Sequence, residues 1–258
     1  MIVTRFAPSP TGYLHLGHAF AALTAFEAGE RFLLRIEDID RERCRSEFEA
    51  AIYEDLAWLG LRWEEPALRQ SDRSQAYREA LDELAPFTYR CTCSRKDIQA
   101  AAGAPHGDEG PLYPGTCRDK KVGREGSYAI RLDAAKAAQS VGPLTFQEHR
   151  KTVQVDPLLL GDVVIARKEL PAAYHLAVVV DDAHQDVTLV TRGVDLLPST
   201  HPQRLLQALL GLPEPAYAHH RLILDRDGRK FSKRNAAATL RSLRGEGISP
   251  CEIRARLL

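Results

Sequence analysis

No apolar run in the 258 residues approaches the roughly 18 that a membrane-spanning helix requires, which excludes a helical membrane protein. An excess of charge is missing as well, since 35 Lys+Arg stand against 35 Asp+Glu. A nonspecific polynucleotide binder would carry a large basic surplus; zero net charge argues against that class but leaves a locally basic face open. Disulfides find little support, because five cysteines are odd in number and badly spread for a framework. Aromatics are scarce at 7%, yet hydrophobic residues reach 44% and charged ones 27%, the balance of a folded globule rather than a disordered chain. A chain of this length buries most of its apolar surface without covalent staples, as one large domain or two modest ones. Its opening, Met1-Ile2-Val3-Thr4-Arg5-Phe6, runs straight into a strand-like segment without a signal-peptide layout. The expected setting is the reducing cytoplasm, away from any membrane.

Residues 3–7 read as a short strand that ends in the turn formers Pro8-Ser9-Pro10-Thr11-Gly12. His18 to Ala28 is alanine-rich and helix-prone. Residues 32–36 form a second buried-strand candidate, followed by the acidic Glu37-Asp38-Ile39-Asp40. Helical periodicity runs over Ser46–Leu59 and Ser71–Leu84. Strand, glycine-containing turn, helix and strand make a βαβ opening, which predicts a doubly wound parallel sheet. From Phe87 to about Pro157 the pattern breaks into a cysteine cluster, a Gly/Pro-rich loop from Gly103 to Gly115 and short strands such as Tyr128–Leu132, as in an insertion. Strands are expected again at Asp162–Ala166, Val187–Thr191 and Arg221–Leu224, with helices at Ala172–Val180 and Gln203–Leu210. From Arg221 onward the chain is rich in arginine and lysine, a solvated helical surface or a polyanion-facing end.

Three groups of residues carry chemistry. Arg5 to Gly12, followed by His15-Leu16-Gly17-His18, sits where a strand enters a helix, the place where an open α/β sheet holds its ligand and a helix N-terminus favours anions. Two histidines three apart share a face, and Gly17 lets a nucleotide approach the backbone. Lys230-Phe231-Ser232-Lys233-Arg234 follows Gly228, and two lysines three apart suit the β- and γ-phosphates of a nucleotide. Cys91, Cys93 and Cys117 offer three thiolates toward a tetrahedral metal site. By spacing alone the fourth ligand is His106 or Asp108. Cys44 and Cys251 stand alone and receive no role, and the loop Gly103–Pro111 holds no assignable motif.

Taken together, His15-Leu16-Gly17-His18 and Lys230-Phe231-Ser232-Lys233-Arg234 resemble the two signatures of class I aminoacyl-tRNA synthetases. Arg5 to Gly17, Leu34 to Asp40, Tyr174 to Asp182 and Val190 to Asp195 are similar to the glutamyl branch, and the resemblance covers nearly the whole chain. It implies ATP with Mg²⁺ as co-substrate and attack of the glutamate carboxylate on the α-phosphorus, a reaction that needs alignment and charge neutralisation more than acid–base catalysis. His15, Gly17 and His18 would then face the α-phosphate and adenosine, and Lys230, Ser232 and Lys233 the departing pyrophosphate. Glutamate brings an ammonium and two carboxylates. The resemblance places Arg5, Glu37, Tyr174, Arg192 and Ser9 around them, in a pocket walled by Phe6, Ala7 and Pro8.

Cys-x-Cys followed by Tyr-x-x-x-Cys also resembles the structural zinc site of a small glutamyl-synthetase paralogue, which nominates Tyr113 as the fourth ligand beside Cys91, Cys93 and Cys117. The chain stops soon after the lysine segment, and with that feature it resembles the glutamyl-queuosine tRNA(Asp) synthetases. The resemblance implies glutamate activation without tRNA and transfer to queuosine in the anticodon stem-loop of tRNA(Asp). The expected fold is therefore α/β: a doubly wound Rossmann-type parallel sheet with an inserted zinc-containing subdomain, a short helical C-terminal segment and no anticodon-binding domain, as a monomer. The expected division is catalytic residues 1–86 and 158–224, an insertion at 87–157, and the lysine loop with its basic segment at 225–258. Phe231, Arg234 and Leu16 depart from the signatures. A shortened synthetase charging the tRNA 3′ end, an idle tRNA-binding paralogue and a small-molecule adenylyltransferase are the alternatives.

Overall fold

The computed structural model describes residues 1–94, 96–98, 112–224 and 238–257. In chain order its elements are β1 (Val3–Phe6), α1 (Leu16–Ala28), β2 (Arg31–Ile36), α2 (Ser46–Trp58), β3 (Glu64–Arg69), α3 (Ser74–Glu83), β4 (Thr88–Cys91), β5 (Ala129–Leu132), α4 (Ala134–Val141), β6 (Thr145–Glu148), β7 (Lys151–Gln154), β8 (Val164–Arg167), α5 (Tyr174–His184), β9 (Leu189–Gly193), α6 (Leu197–Leu209), β10 (Ala216–His220), α7 (Leu240–Gly245) and α8 (Pro250–Leu257). They fall into two compact units: Met1–Asp72 with Asp186–Leu196 and Pro215–Leu258, and Arg73–Gln185 with Leu197–Glu214. No described helix is long and apolar enough to cross a membrane.

The first unit is the α/β, Rossmann-like part. β1 pairs in parallel with β2, β2 with β3, and β9 with β10. β9 adjoins β1: the Thr188 amide donates to the Val3 carbonyl at 3.0 Å, and the Val3 amide to Thr188 Oγ1 at 2.9 Å. All of β1 and all of β2 except Arg31 are buried, as in strands covered on both faces, and the polar Thr4, Arg5 and Arg35 interrupt their apolar runs. Leu14, Phe20, Leu23, Leu34, Ile36, Ile52, Leu56, Leu240 and Ile253 share one core, so α7 and α8 belong to the same hydrophobic cluster as the sheet. Each such Leu or Ile contributes about 1.5–3 kcal/mol.

Histidine, an unusual capping residue, starts α1. His15 Nδ1 accepts from the Gly17 amide at 3.1 Å, while His18 Nδ1 accepts from the His15 amide at 3.2 Å. The helix ends at Gly29, where a Cβ would lie 2.3 Å from Thr4 Oγ1 and 2.7 Å from the Arg31 carbonyl. Thr4 Oγ1 donates to the Ala25 carbonyl at 2.7 Å, locking the last turn of α1 to β1.

The second unit holds the antiparallel sheet β4-β5-β8, the β6–β7 hairpin and α3 to α6. The hairpin turns through His149 and Arg150 at φ 46° and 65°, the left-handed pair that a two-residue turn matching strand twist requires. Buried Asp181 of α5 accepts from Tyr77 Oη at 2.7 Å and from Arg73 Nε at 3.2 Å, which fixes α3 to α5.

Several expected boundaries shift. The last strand is Ala216–His220, not Arg221–Leu224, because the register with β9 runs Ala216↔Leu189 to His220↔Gly193. Leu224, apolar in sequence, is exposed. Residues 70–73 form a 3₁₀ turn, so α3 starts at Ser74. α6 begins at Leu197 and carries Pro202 internally. β3 has no apolar signature because Glu64-Glu65-Pro66 opens it, and proline is tolerated on an edge strand.

Candidate functional site

Arg5, next to last in β1, is buried and donates through Nη1 to the Thr191 carbonyl at 3.3 Å. The following residue of β9, Arg192, is buried as well. Its Nε donates to His219 Nε2 at 3.0 Å, and its guanidinium lies 5.7 Å from the centre of the Tyr217 ring. Two buried arginines thus stand on adjoining strands, with Arg5 bonded to the residue that precedes Arg192. On the other side of β1, the Glu37 amide donates to the Pro8 carbonyl at 3.0 Å, so the turn after β1 and the acidic end of β2 are joined by their backbones. Glu37 Oε1 lies 3.6 Å from Nη2 of Arg35, a guanidinium with no solvent exposure. The next residue, Asp38, is a structural cap: it accepts from Ser71 N at 2.8 Å, Ser71 Oγ at 2.7 Å and Arg69 Nη2 at 3.1 Å. Phe6 sits in the core, Pro8 is buried, and Ala7 and Ser9 are half-buried.

The His15 and His18 rings lie 3.8 Å apart at 35°. Because each Nδ1 accepts a backbone hydrogen, each neutral ring carries its proton on Nε2. Both rings are therefore set to donate one N–H, a pairing suited to phosphate oxygens. Gly17 is the second residue of α1. Of the remaining expected residues, Tyr174 opens α5 in the second unit and is exposed. Lys230, Ser232 and Lys233 lie outside the described residues, as do His106 and Asp108.

In the second unit, Cys91 closes β4 and the Sγ atoms of Cys91, Cys93 and Cys117 lie within 4.8 Å of one another. Tyr113 Oη is 3.3 Å from Cys91 Sγ and 3.8 Å from Cys93 Sγ, and accepts from the Cys117 amide at 2.8 Å. Cys93 and Cys117 Sγ are 3.5 Å apart. A tetrahedral ion with metal–sulfur bonds of about 2.3 Å needs S···S edges of about 3.8 Å and S···O edges of about 3.6 Å, so three thiolates and one phenolate fit. Gly115 at φ 81° turns the chain between Tyr113 and Cys117. Burial pushes Cys93 up to about 11. Burial also pushes Cys117 upward, but hydrogen bonds from Tyr113 and the Thr92 backbone outweigh it and hold that thiol at about 7. Tyr113 is raised, first by burial and then by the thiols. The Arg131 guanidinium lies 3.8 Å from the Tyr113 ring centre, a cation–π contact that favours negative charge on that ring.

Arg35 and His219 are the residues that sequence reasoning missed. Arg35 stands inside a run that reads as buried strand, and His219 in a segment without strand signature. A cation within an otherwise apolar strand two positions before Glu37 was the available signal for the first.

Residues 1–257 match the family described as tRNA synthetases class I (E and Q), catalytic domain. The chain is 50% identical to the glutamyl-Q tRNA(Asp) synthetase of Rhodobacter capsulatus, with 98% of each chain covered. It is 44% identical to the protein of the same name from Nocardia farcinica, over 98% of this chain and 82% of that one. Among solved structures, a glutamate tRNA ligase from Elizabethkingia meningosepticum in complex with its amino acid is similar at 28% identity and a TM-score of 0.72. That match covers 91% of this chain and 52% of the ligase, so the chain spans about half the ligase's length.

Proposed function

The chain belongs to the glutamyl-Q tRNA(Asp) synthetase family, within the class I (E and Q) catalytic domains, and on that premise we propose how its residues activate L-glutamate and pass it to tRNA. ATP is the second substrate. A glutamate carboxylate oxygen attacks the α-phosphorus, the bond to the bridging oxygen breaks, and glutamyl-adenylate and pyrophosphate form. The acyl group then passes to queuosine in the anticodon loop of tRNA(Asp) as AMP leaves.

On this reading Arg5 and Arg192 bind the carboxylates by charge-assisted hydrogen bonds, and Glu37 takes the ammonium. Ser9 and Tyr174 add neutral hydrogen bonds, and Phe6, Ala7 and Pro8 wall the pocket. His15 and His18 donate from Nε2 toward the α-phosphate, with Gly17 leaving room for the nucleotide. Lys230 and Lys233 neutralise the departing pyrophosphate, with Ser232 between them. Mg²⁺ bound to the phosphates supplies further charge neutralisation. Cys91, Cys93, Tyr113 and Cys117 hold a structural Zn²⁺ within the inserted segment 87–157. The observation that carries the proposal is the burial of Arg5 and Arg192 on the adjoining strands β1 and β9, with Arg5 bonded to the Thr191 carbonyl and Glu37 tied to Pro8.

Glutamate-dependent ATP–pyrophosphate exchange tests it. Arg192→Ala is expected to raise KM for glutamate at least tenfold while KM for ATP changes less than twofold. An equal rise in both would overturn the assignment.

A further inference from the structure

Arg192 has no acceptor atom, and its guanidinium donates in a fixed plane. Whatever accepts from Nε therefore fixes the direction in which the remaining two nitrogens point. In this fold that acceptor is His219 Nε2, at 3.0 Å and buried. The pairing follows from strand register: His219 of β10 stands directly opposite Arg192 of β9 in the parallel ladder. The His219 ring is itself held in orientation, stacked at 4° on Tyr217 two residues earlier, the same ring that faces the Arg192 guanidinium.

We propose that His219 is a positioning residue for glutamate: its neutral imidazole accepts from Arg192 Nε and sets the guanidinium for a substrate carboxylate. This rests on the reading of Arg192 as a glutamate ligand. The contact has one chemical requirement. Arg192 Nε always carries hydrogen, so His219 must keep the lone pair on Nε2 and hold its own proton on Nδ1. An imidazolium would set a donor against a donor and one cation against another. A leucine of similar size would fill the space but leave the Arg192 Nε–H buried without this acceptor, freeing the fork to rotate. Glutamine keeps an acceptor oxygen within reach.

The experiment compares His219→Leu, His219→Gln and Arg192→Ala in the full chain by ATP–pyrophosphate exchange. His219→Leu is expected to raise KM for glutamate about tenfold, with kcat and KM for ATP within about twofold, and His219→Gln to recover most of that loss. Equal loss in the Leu and Gln variants would reduce His219 to a space filler and overturn the proposal. So would an unchanged KM for glutamate in His219→Leu while Arg192→Ala raises it. If Arg192→Ala also leaves KM for glutamate unchanged, the glutamate-pocket reading itself fails. Nitrogen-15 NMR of histidine in the unmodified protein gives a readout independent of variant folding. A proton on Nδ1 and a bare Nε2 are expected at His219; an Nε2–H tautomer or an imidazolium would contradict the proposal.

Discussion

Arg5 and Arg192 illustrate how adjoining strands keep cations buried: Arg5 donates to the Thr191 carbonyl and Arg192 to the His219 imidazole, so neutral acceptors help to hold both guanidinium groups in place. Charge at the phosphate end is expected to rest on the lysine segment, and Lys233→Ala should abolish glutamate-dependent exchange without shifting the melting temperature; full residual exchange would remove Lys233 from the mechanism. At the thiol cluster, the purified protein should carry one zinc per chain and Cys117→Ser should lose it, as measured by elemental analysis; retention of zinc would contradict the four-ligand site. The lysine and cysteine candidates could be nominated from the sequence because their spacing has a chemical reason, whereas Arg5 and Arg192 were nominated only through the family resemblance. The partners of those residues were not legible. Whether His219 faces Arg192 depends on how two strands slide past each other, and no local pattern in Ala216-Tyr217-Ala218-His219-His220 carries that register.

Elements depend on a few close contacts that set where they begin and end. Gly29→Ala is expected to destabilise the fold by about 1–3 kcal/mol through overpacking against Thr4 Oγ1 and the Arg31 carbonyl. Thr4→Ala in that background should recover part of the loss in a denaturant titration, because it removes the nearer obstacle. The contact of α2 with α7 carries a pH dependence. Asp55 of α2 is fully buried, its carboxylate oxygens make no hydrogen bond among the described residues, and Arg244 of α7 lies 3.8 Å away, with Glu54 and Arg241 also acting on it electrostatically. Burial raises its pKa from 3.8 to about 6, with Arg244 offsetting only part. The folded chain therefore holds this proton more tightly than the unfolded chain, and its contribution to stability falls as pH rises from about 4 to 6. Asp55→Asn should flatten that stretch of the melting profile, and an unchanged slope would show that another group governs it. α2 and α3 were readable from periodicity, α1 from its alanine content and the first two strands from their position in a βαβ opening, whereas α4 (Ala134–Val141) was not anticipated. β3, β10 and the hairpin were not, because an edge proline, a His219-His220 pair of which His219 is buried, and a non-glycine turn hide strands from a reading based on apolar alternation.

At the scale of the whole molecule, the first unit holds the histidine signature with Arg5, Glu37 and Arg192, and the second the thiol cluster and Tyr174. The balanced total charge matches a protein that meets nucleic acid through a chosen site rather than a general polyanion field. Family membership was legible because the two signatures occur in order over nearly the whole chain, and the acceptor on the tRNA followed from resemblance rather than from any side chain that could be tested by inspection. The most direct test of the account supplies labelled glutamate and ATP with two bulk tRNA pools, one containing queuosine and one lacking it. Incorporation confined to the queuosine pool is expected, and incorporation with both pools would identify an enzyme that charges the tRNA 3′ end and contradict the assignment of queuosine as acceptor.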